Sequence, residues 1–295
     1  MKLQARLKGT GVAIIKPFRK DGSIDFLSLD KLVKHVSSNG IDYLVVLGTT
    51  GESVTMNKEE KNAILNFVIE SNEKKLPIVA GFGGNNTHEI VSSIKHYNFS
   101  GIDAILSVTP YYNKPSQKGL FAHYKAVSEI SPVPVILYNV PGRTSVNMTA
   151  ETVLQLANDF KNIIAVKEAS GNFEQIMTIS KNRPTDFLVI SGDDLITLPL
   201  ISCGIDGVIS VAANAFPAMF TNLVNLALKG KFKEAWEIQQ KLLEIMNTLF
   251  VEGNPAGVKA ALKILGICQD FLRLPLVQVS KNTYTKLAKQ IEELN

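Results

Sequence analysis

Apolar residues fall along this chain in short, nearly unbroken runs. They cover residues 9–15 (GTGVAII), 43–50 (YLVVLGTT), 77–83 (PIVAGFG), 104–110 (AILSVTP), 134–140 (PVILYNV), 163–169 (IIAVKEA), 187–194 (FLVISGDD) and 207–214 (GVISVAAN). Most are rich in Val and Ile, and Gly, Pro or Asn bounds them. Strands covered on both faces read this way, as in parallel sheets flanked by helices. Between the runs the apolar positions take helical spacing. Asp25, Asn57 and Ser116 stand where they can cap the segments LSLDKLVKHVSS, KEEKNAILNFVIE and QKGLFAHYKAVSEI.

Eight strand–helix units occupy residues 9–228, roughly 27 to 28 residues each, which is the arithmetic of an α/β (β/α)8 TIM barrel. A doubly wound sheet usually has fewer strands, and no G-x-G-x-x-G follows the first run. The nearest imitation, GFGG at 81–84, reads as a tight turn between strand and helix. Beyond residue 229 the strands stop, and KFKEAWEIQQKLLEIMNTLF, PAGVKAALKILG and SKNTYTKLAKQIEEL are helical. The expected organisation is a catalytic barrel over residues 1–228 and a C-terminal helical extension over 229–295. That extension is too small for a core of its own and is expected to pack on the barrel or on a neighbouring subunit.

Composition removes several classes of function. With 45% hydrophobic and 20% charged residues the 295-residue chain is expected to be globular. Lys and Arg exceed Asp and Glu by only 31 to 27, with no basic stripe to hold a nucleic acid. Two cysteines, Cys203 and Cys268, build neither a disulfide framework nor a Cys-rich metal site. The opening MKLQARLKGT lacks the apolar segment of a signal peptide, and no run reaches membrane-spanning length. A cytoplasmic protein is expected.

In such a barrel the chemistry gathers at the C-terminal ends of the strands. The polar residues there are Thr49-Thr50-Gly51-Glu52-Ser53, Thr109-Pro110-Tyr111-Tyr112-Asn113, Tyr138-Asn139 with Arg143, Lys167-Glu168, Ser191-Gly192-Asp193-Asp194, and Ser210 with Asn214. Strand alternation puts Ile163, Ala165, Lys167 and Ala169 on one face and Ile164, Val166 and Glu168 on the other. The face with small residues suits the lumen, because it leaves room for a long side chain and a ligand. Desolvation favours the neutral, nucleophilic form of an amine, and a nucleophilic lysine forms Schiff bases with ketones. The other reading has Lys167 reaching out to pair with Glu168 or Asp193. The remaining residues also have two readings each. Tyr111 and Tyr112 can plug a loop, Thr49 and Thr50 can cap a helix or favour a strand, and Arg143 can be a solvated turn residue. Asp193 and Asp194 diverge, so one of them is expected to cap the next helix rather than bind metal. His35, His88, His96 and His123 all fall in helical segments, away from the strand ends, and no metal role is expected for them.

Together, GTTGES (48–53), TPYYN (109–113), YNVPGRT (138–144), VKEA (166–169), SGDD (191–194) and GVISV (207–211) resemble the dihydrodipicolinate synthase family in order, spacing and position. The resemblance runs from residue 9 to the C-terminus. It implies condensation of pyruvate with L-aspartate 4-semialdehyde at the entry to diaminopimelate and lysine synthesis, through a lysine imine and without a cofactor or metal. Lys167 would carry the imine and Tyr138 would be the general acid and base. Thr49 and Tyr112 would complete the proton relay, Tyr112 entering from a neighbouring subunit of a homotetramer built as a dimer of dimers. Thr50 would hold the pyruvate carboxylate, with the Ile209 carbonyl lining the same pocket and Gly192 leaving room beside it. Arg143 would bind the semialdehyde carboxylate.

The resemblance also implies an interface site for inhibitory L-lysine, formed by Ser53, Asn85, Glu89 and Tyr111. Here the sequence departs from the inhibited pattern, because Lys58 and Lys61 replace histidines and Val54 replaces a small residue. Two ammonium groups near a cationic ligand oppose its binding, and Glu89 favours it. Within the same superfamily the alternatives are N-acetylneuraminate lyase and keto-deoxy-sugar-acid aldolases, against which Arg143 argues. A keto-acid-binding barrel without turnover would have no use for a nucleophile joined to a proton relay.

Overall fold

The computed structural model describes residues 2–294. The strands β1 (Gly9–Ala13), β2 (Tyr43–Val46), β3 (Ile78–Gly81), β4 (Ala104–Val108), β5 (Val135–Asn139), β6 (Ile163–Glu168), β7 (Leu188–Ser191) and β8 (Gly207–Ser210) each lie inside one of the apolar runs. All neighbours pair in parallel, and β8 returns to β1, so the sheet closes into a barrel. Closure leaves no sheet edge to protect. The polar ends of the runs continue past the strands as loops.

The helices between strands begin where the caps predict. Asp25 accepts a hydrogen bond from the Ser28 N–H at 3.2 Å, and Ser116 from the Gly119 N–H at 3.3 Å. Asn57 accepts from the Glu60 N–H at 2.8 Å while the Glu60 carboxylate accepts from the Asn57 N–H at 3.1 Å, a reciprocal capping box.

Two apolar layers result. Tyr43, Val45, Leu106, Ile136, Ala165 and Ile190 belong to the inner one, which fills the lumen; Leu7, fully buried just before β1, closes its N-terminal mouth. The outer layer lies between strands and helices. Strand β6 departs from simple alternation: the β5 register jumps from Val135↔Ile163 to Ile136↔Ala165. Ile164 is the extra residue of this bulge, so it joins Ala165 in the lumen layer while Ile163 lies outside. Beyond the bulge the alternation resumes.

After the barrel come helices Phe232–Phe250, Ala256–Ile264 and Lys281–Leu294. Their buried residues, Leu242, Met246, Leu249, Val258 and Leu287 among them, join the outer layer of the barrel. Helix Ala256–Ile264 is buried at every position from Ala256 to Leu262, Lys259 included. Among the described residues no helix is long and apolar enough to cross a membrane.

Candidate active site

Lys167 and Tyr138 face each other because β5 and β6 pair in that register. Both side chains point inward and are almost closed off, at 5% and 6% exposure. The Lys167 Nζ lies 4.3 Å from the centre of the Tyr138 ring. Among the described residues no ion pair includes Lys167. The next residue explains why: alternation turns Glu168 outward, where it accepts hydrogen bonds from Asn139, Gln175 and the Ser170 N–H at 2.9–3.1 Å. Burial pushes the Glu168 carboxyl up, and these donors oppose the shift. The outward-reaching lysine is therefore not what the chain adopts. Gly192, just past β7, gives the lysine its space. A Cβ there would stand 2.7 Å from the Ala169 Cβ and 3.0 Å from the Lys167 Cε.

After β2 the chain turns through a short 3₁₀ segment, Thr49–Gly51. Thr50 is buried, and its Oγ1 accepts a hydrogen bond from the Asn254 Nδ2 at 2.9 Å. That arrangement leaves the Thr50 hydroxyl proton free to be donated elsewhere. Arg143 sits in the helical turn Pro141–Thr144 after β5 and donates a long 3.5 Å bond to the Asn254 carbonyl. Asn254 thus ties the Thr50 turn to the arginine. Ile209 lies on β8 with its side chain in the lumen layer.

A cleft of about 940 Å³ opens on this face. Thr49, Tyr138 and Arg143 line one part of it, and Ser53, Asn85, Glu89 and Tyr111 line another. Lys58, Lys61 and Val54 share that wall. Lys167, Thr50, Gly192 and Ile209 are not on the cleft wall. Tyr112 is not brought in at all: it is 87% exposed, on backbone at φ 73°.

A model of the dihydrodipicolinate synthetase family matches residues 6–294. The chain belongs to that family. It is 52% identical to a 4-hydroxy-tetrahydrodipicolinate synthase of Phocaeicola vulgatus over 99% of this chain and 98% of that one. Its identity to the enzyme of the same name from Parabacteroides distasonis is 53%, over 98% and 97% of the two chains. The crystal structure of dihydrodipicolinate synthase from Aquifex aeolicus superposes with a TM-score of 0.94 at 40% identity, covering 97% of this chain and 98% of that one. The (β/α)8 barrel with its C-terminal helices is thus the architecture this family shares.

The aspartates after β7 work differently from the expected helix cap. Helix Thr197–Ser202 begins without a side-chain cap. Asp194 instead reaches across to β8 and accepts from the Val211 and Ala212 N–H groups at 3.0 and 2.7 Å. Burial raises its carboxyl to about 6 against those donors. Asp193 accepts from the Leu195 N–H at 2.9 Å, within its own turn. Among the described residues no three His, Cys, Asp or Glu side chains gather closely enough to hold a metal ion. Of the histidines, His123 is buried beside Thr87 (2.9 Å), and burial lowers it to about 4.

Asn254 and a buried charge cluster are features of this region that the sequence does not announce. Lys259 donates to Glu52, both side chains being fully buried, and to the Phe271 carbonyl at 2.8 Å. Glu52 also accepts from the Arg273 N–H at 3.2 Å, and the Arg273 guanidinium pairs with Glu60. The only signal for Asn254 was its place in a polar GNP turn between helices.

Proposed function

We propose that the chain condenses pyruvate with L-aspartate 4-semialdehyde through a Schiff base on Lys167, giving 4-hydroxy-tetrahydrodipicolinate. The free amine of Lys167 adds to the ketone carbon of pyruvate, and loss of water leaves an iminium. Loss of a methyl proton gives the enamine, whose carbon attacks the aldehyde of the semialdehyde and forms the new C–C bond. The aldehyde oxygen takes up a proton and becomes the 4-hydroxyl. The amine of the joined product then displaces the lysine from the iminium carbon, closing the ring and freeing Lys167. The iminium is the electron sink, so the reading calls for no cofactor or metal.

Imine formation, enamine formation and C–C bond formation each need a proton moved at or near the lysine imine, and Tyr138 is the phenol beside it. Thr49 and Tyr112 extend that relay to solvent, Tyr112 from a neighbouring subunit. Thr50 holds the pyruvate carboxylate, with the Ile209 carbonyl on the same pocket and Gly192 beside the imine. Arg143 supplies a fork for the carboxylate of the semialdehyde. Ser53, Asn85, Glu89 and Tyr111 form the second ligand site, where Lys58 and Lys61 weaken any binding of L-lysine. The protein works in the cytoplasm as a tetramer of paired dimers.

The observation that carries this reading is the buried Lys167, without a carboxylate partner among the described residues, 4.3 Å from the ring of Tyr138. Pyruvate with borohydride is expected to label that residue irreversibly, because reduction turns the imine into a secondary amine. Peptide mass mapping checks it. A label on a different lysine, or full turnover in Lys167→Ala, would end the reading.

The exposed Tyr112 supports the shared site. A mixture of Tyr112→Phe and Lys167→Ala subunits is expected to regain activity, since one site of each mixed dimer carries both native residues. With random 1:1 pairing, half of the dimers are mixed, and about a quarter of the wild-type sites are rebuilt. Turnover no greater than the sum of the two variants measured separately would exclude a tyrosine supplied in trans.

A further inference from the structure

Lys16 follows β1 in the segment Ile14–Phe18, which is buried at every residue. Its side chain is fully closed off, and among the described residues its Nζ has no hydrogen-bond partner. It is packed beneath the Thr49–Gly51 turn. A Cβ built on Gly51 would stand 2.6 Å from the Lys16 Nζ and 3.0 Å from the Ile14 carbonyl oxygen. Glycine at position 51 is what leaves the ammonium its space.

The charges around Lys16 do not balance it. Glu52 faces it from the end of the turn and Lys259 from helix Ala256–Ile264. Those two already pair with each other. Arg273 and Cys268 stand beside Lys259; the guanidinium opposes the Lys259 charge, while burial pushes the Cys268 thiol up to about 12 and keeps it neutral. Lys16 is the surplus cation of the cluster. Burial first, then repulsion from Lys259, lowers it to about 7, with Glu52 opposing. A buried cation of this kind is costly until an anion arrives near it. The anion that the turn is assigned to hold is the carboxylate of pyruvate.

We propose that Lys16 is the buried countercharge for the keto-acid carboxylate, taking up a proton as the anion settles on the Thr49–Gly51 turn and so setting the affinity for pyruvate. The proposal rests on the carboxylate-binding role given to Thr50. Lys16 acts through the turn and makes no contact with the reacting atoms; it is a positioning residue. The sign follows from linkage. Below about pH 7 Lys16 is already charged and attracts the anion. Above that, binding must draw in a proton, so the contribution of Lys16 fades as pH rises through the pKa of the bound state.

The test compares wild type with Lys16→Met, which keeps the length and removes the charge. The reading is the pyruvate concentration that gives half-maximal trapping of Lys167 by cyanoborohydride, at pH 6.5 and pH 9. The ratio of the two proteins cancels the pH dependence of the trapping chemistry itself. At pH 6.5 the variant is expected to need on the order of tenfold more pyruvate, and at pH 9 the two should converge to within about twofold. A ratio that stays constant between the two pH values, or equals one at both, overturns the countercharge role while leaving the Schiff base intact. No trapping at Lys167 in the wild type would overturn the proposed function, and this inference with it. Should Lys16→Met fail to fold, calorimetry of pyruvate binding to Lys167→Ala in two buffers of different ionisation enthalpy decides the matter. That variant reads the carboxylate seat without the imine. Proton uptake at pH 8 supports the proposal, and its absence overturns it.

Discussion

Tyr138→Phe is expected to lower kcat by about 10²–10⁴ while leaving the fold and its melting temperature close to wild type. The substitution removes one hydroxyl and keeps the ring that packs against Lys167. Tyr138 is only 6% exposed and lies in the lumen layer, so the apolar contacts of Phe replace those of Tyr almost atom for atom. What is lost is the only phenol next to the amine in the β5–β6 register. The proton steps of the proposed cycle occur at the lysine nitrogen and the leaving carbinolamine oxygen, at the methyl carbon next to the imine carbon, and at the aldehyde oxygen. Water would have to enter a closed site to replace the hydroxyl. The loss should therefore appear in kcat and in the rate of borohydride trapping, with a smaller effect on the final extent of trapping. Steady-state and single-turnover kinetics, with a thermal melt as control, check this. Near wild-type turnover in a folded variant would remove Tyr138 from the relay.

The barrel was legible in the sequence because its strands are buried on both faces, which writes them as apolar runs. The caps at Asp25, Asn57 and Ser116 were legible because a cap is settled within three residues of chain. Lys167 was legible for a related reason: alternation near the end of β6 separates it from Glu168 whatever lies elsewhere. The bulge at Ile164 was not, since it depends on the register of β5 across a helical connection. Asp193 and Asp194 misled in the same way, because the amides that Asp194 satisfies belong to residues 17 and 18 positions further on. Asn254 and Lys259 were hidden completely. Their partners Thr50 and Glu52 lie more than 200 residues away in sequence. A lysine in an amphipathic helix reads as a solvated residue until another segment of chain buries it. Lys16 was hidden because a lysine directly after an apolar run reads as the solvated start of a loop until distant segments of the chain bury it. The proposed role of Tyr112 depends on a second copy of the chain.

Lys259→Met is expected to lower stability by about 3–5 kcal/mol, the usual cost of removing one partner of a buried ion pair. The loss should fall toward the lower end. Lys16 also faces Glu52, and with Lys259 gone it no longer suffers repulsion from that neighbour, so it can supply part of the missing charge. The double variant Glu52→Gln with Lys259→Met should be more stable than Lys259→Met alone, since no buried carboxylate is then left without its ammonium partner. Chemical denaturation of the three proteins at one fixed concentration measures both effects. The functional consequence follows from position. Glu52 ends the Thr49–Gly51 turn, and Lys259 joins it to helix Ala256–Ile264, the helix that begins two residues after Asn254. Loosening that anchor should raise KM for pyruvate more than KM for the semialdehyde, whose proposed contact, Arg143, stands on β5's own loop. A Lys259→Met protein as stable as wild type, with unchanged KM for pyruvate, would mean that the cluster neither holds the C-terminal helices to the barrel nor sets the shape of the turn.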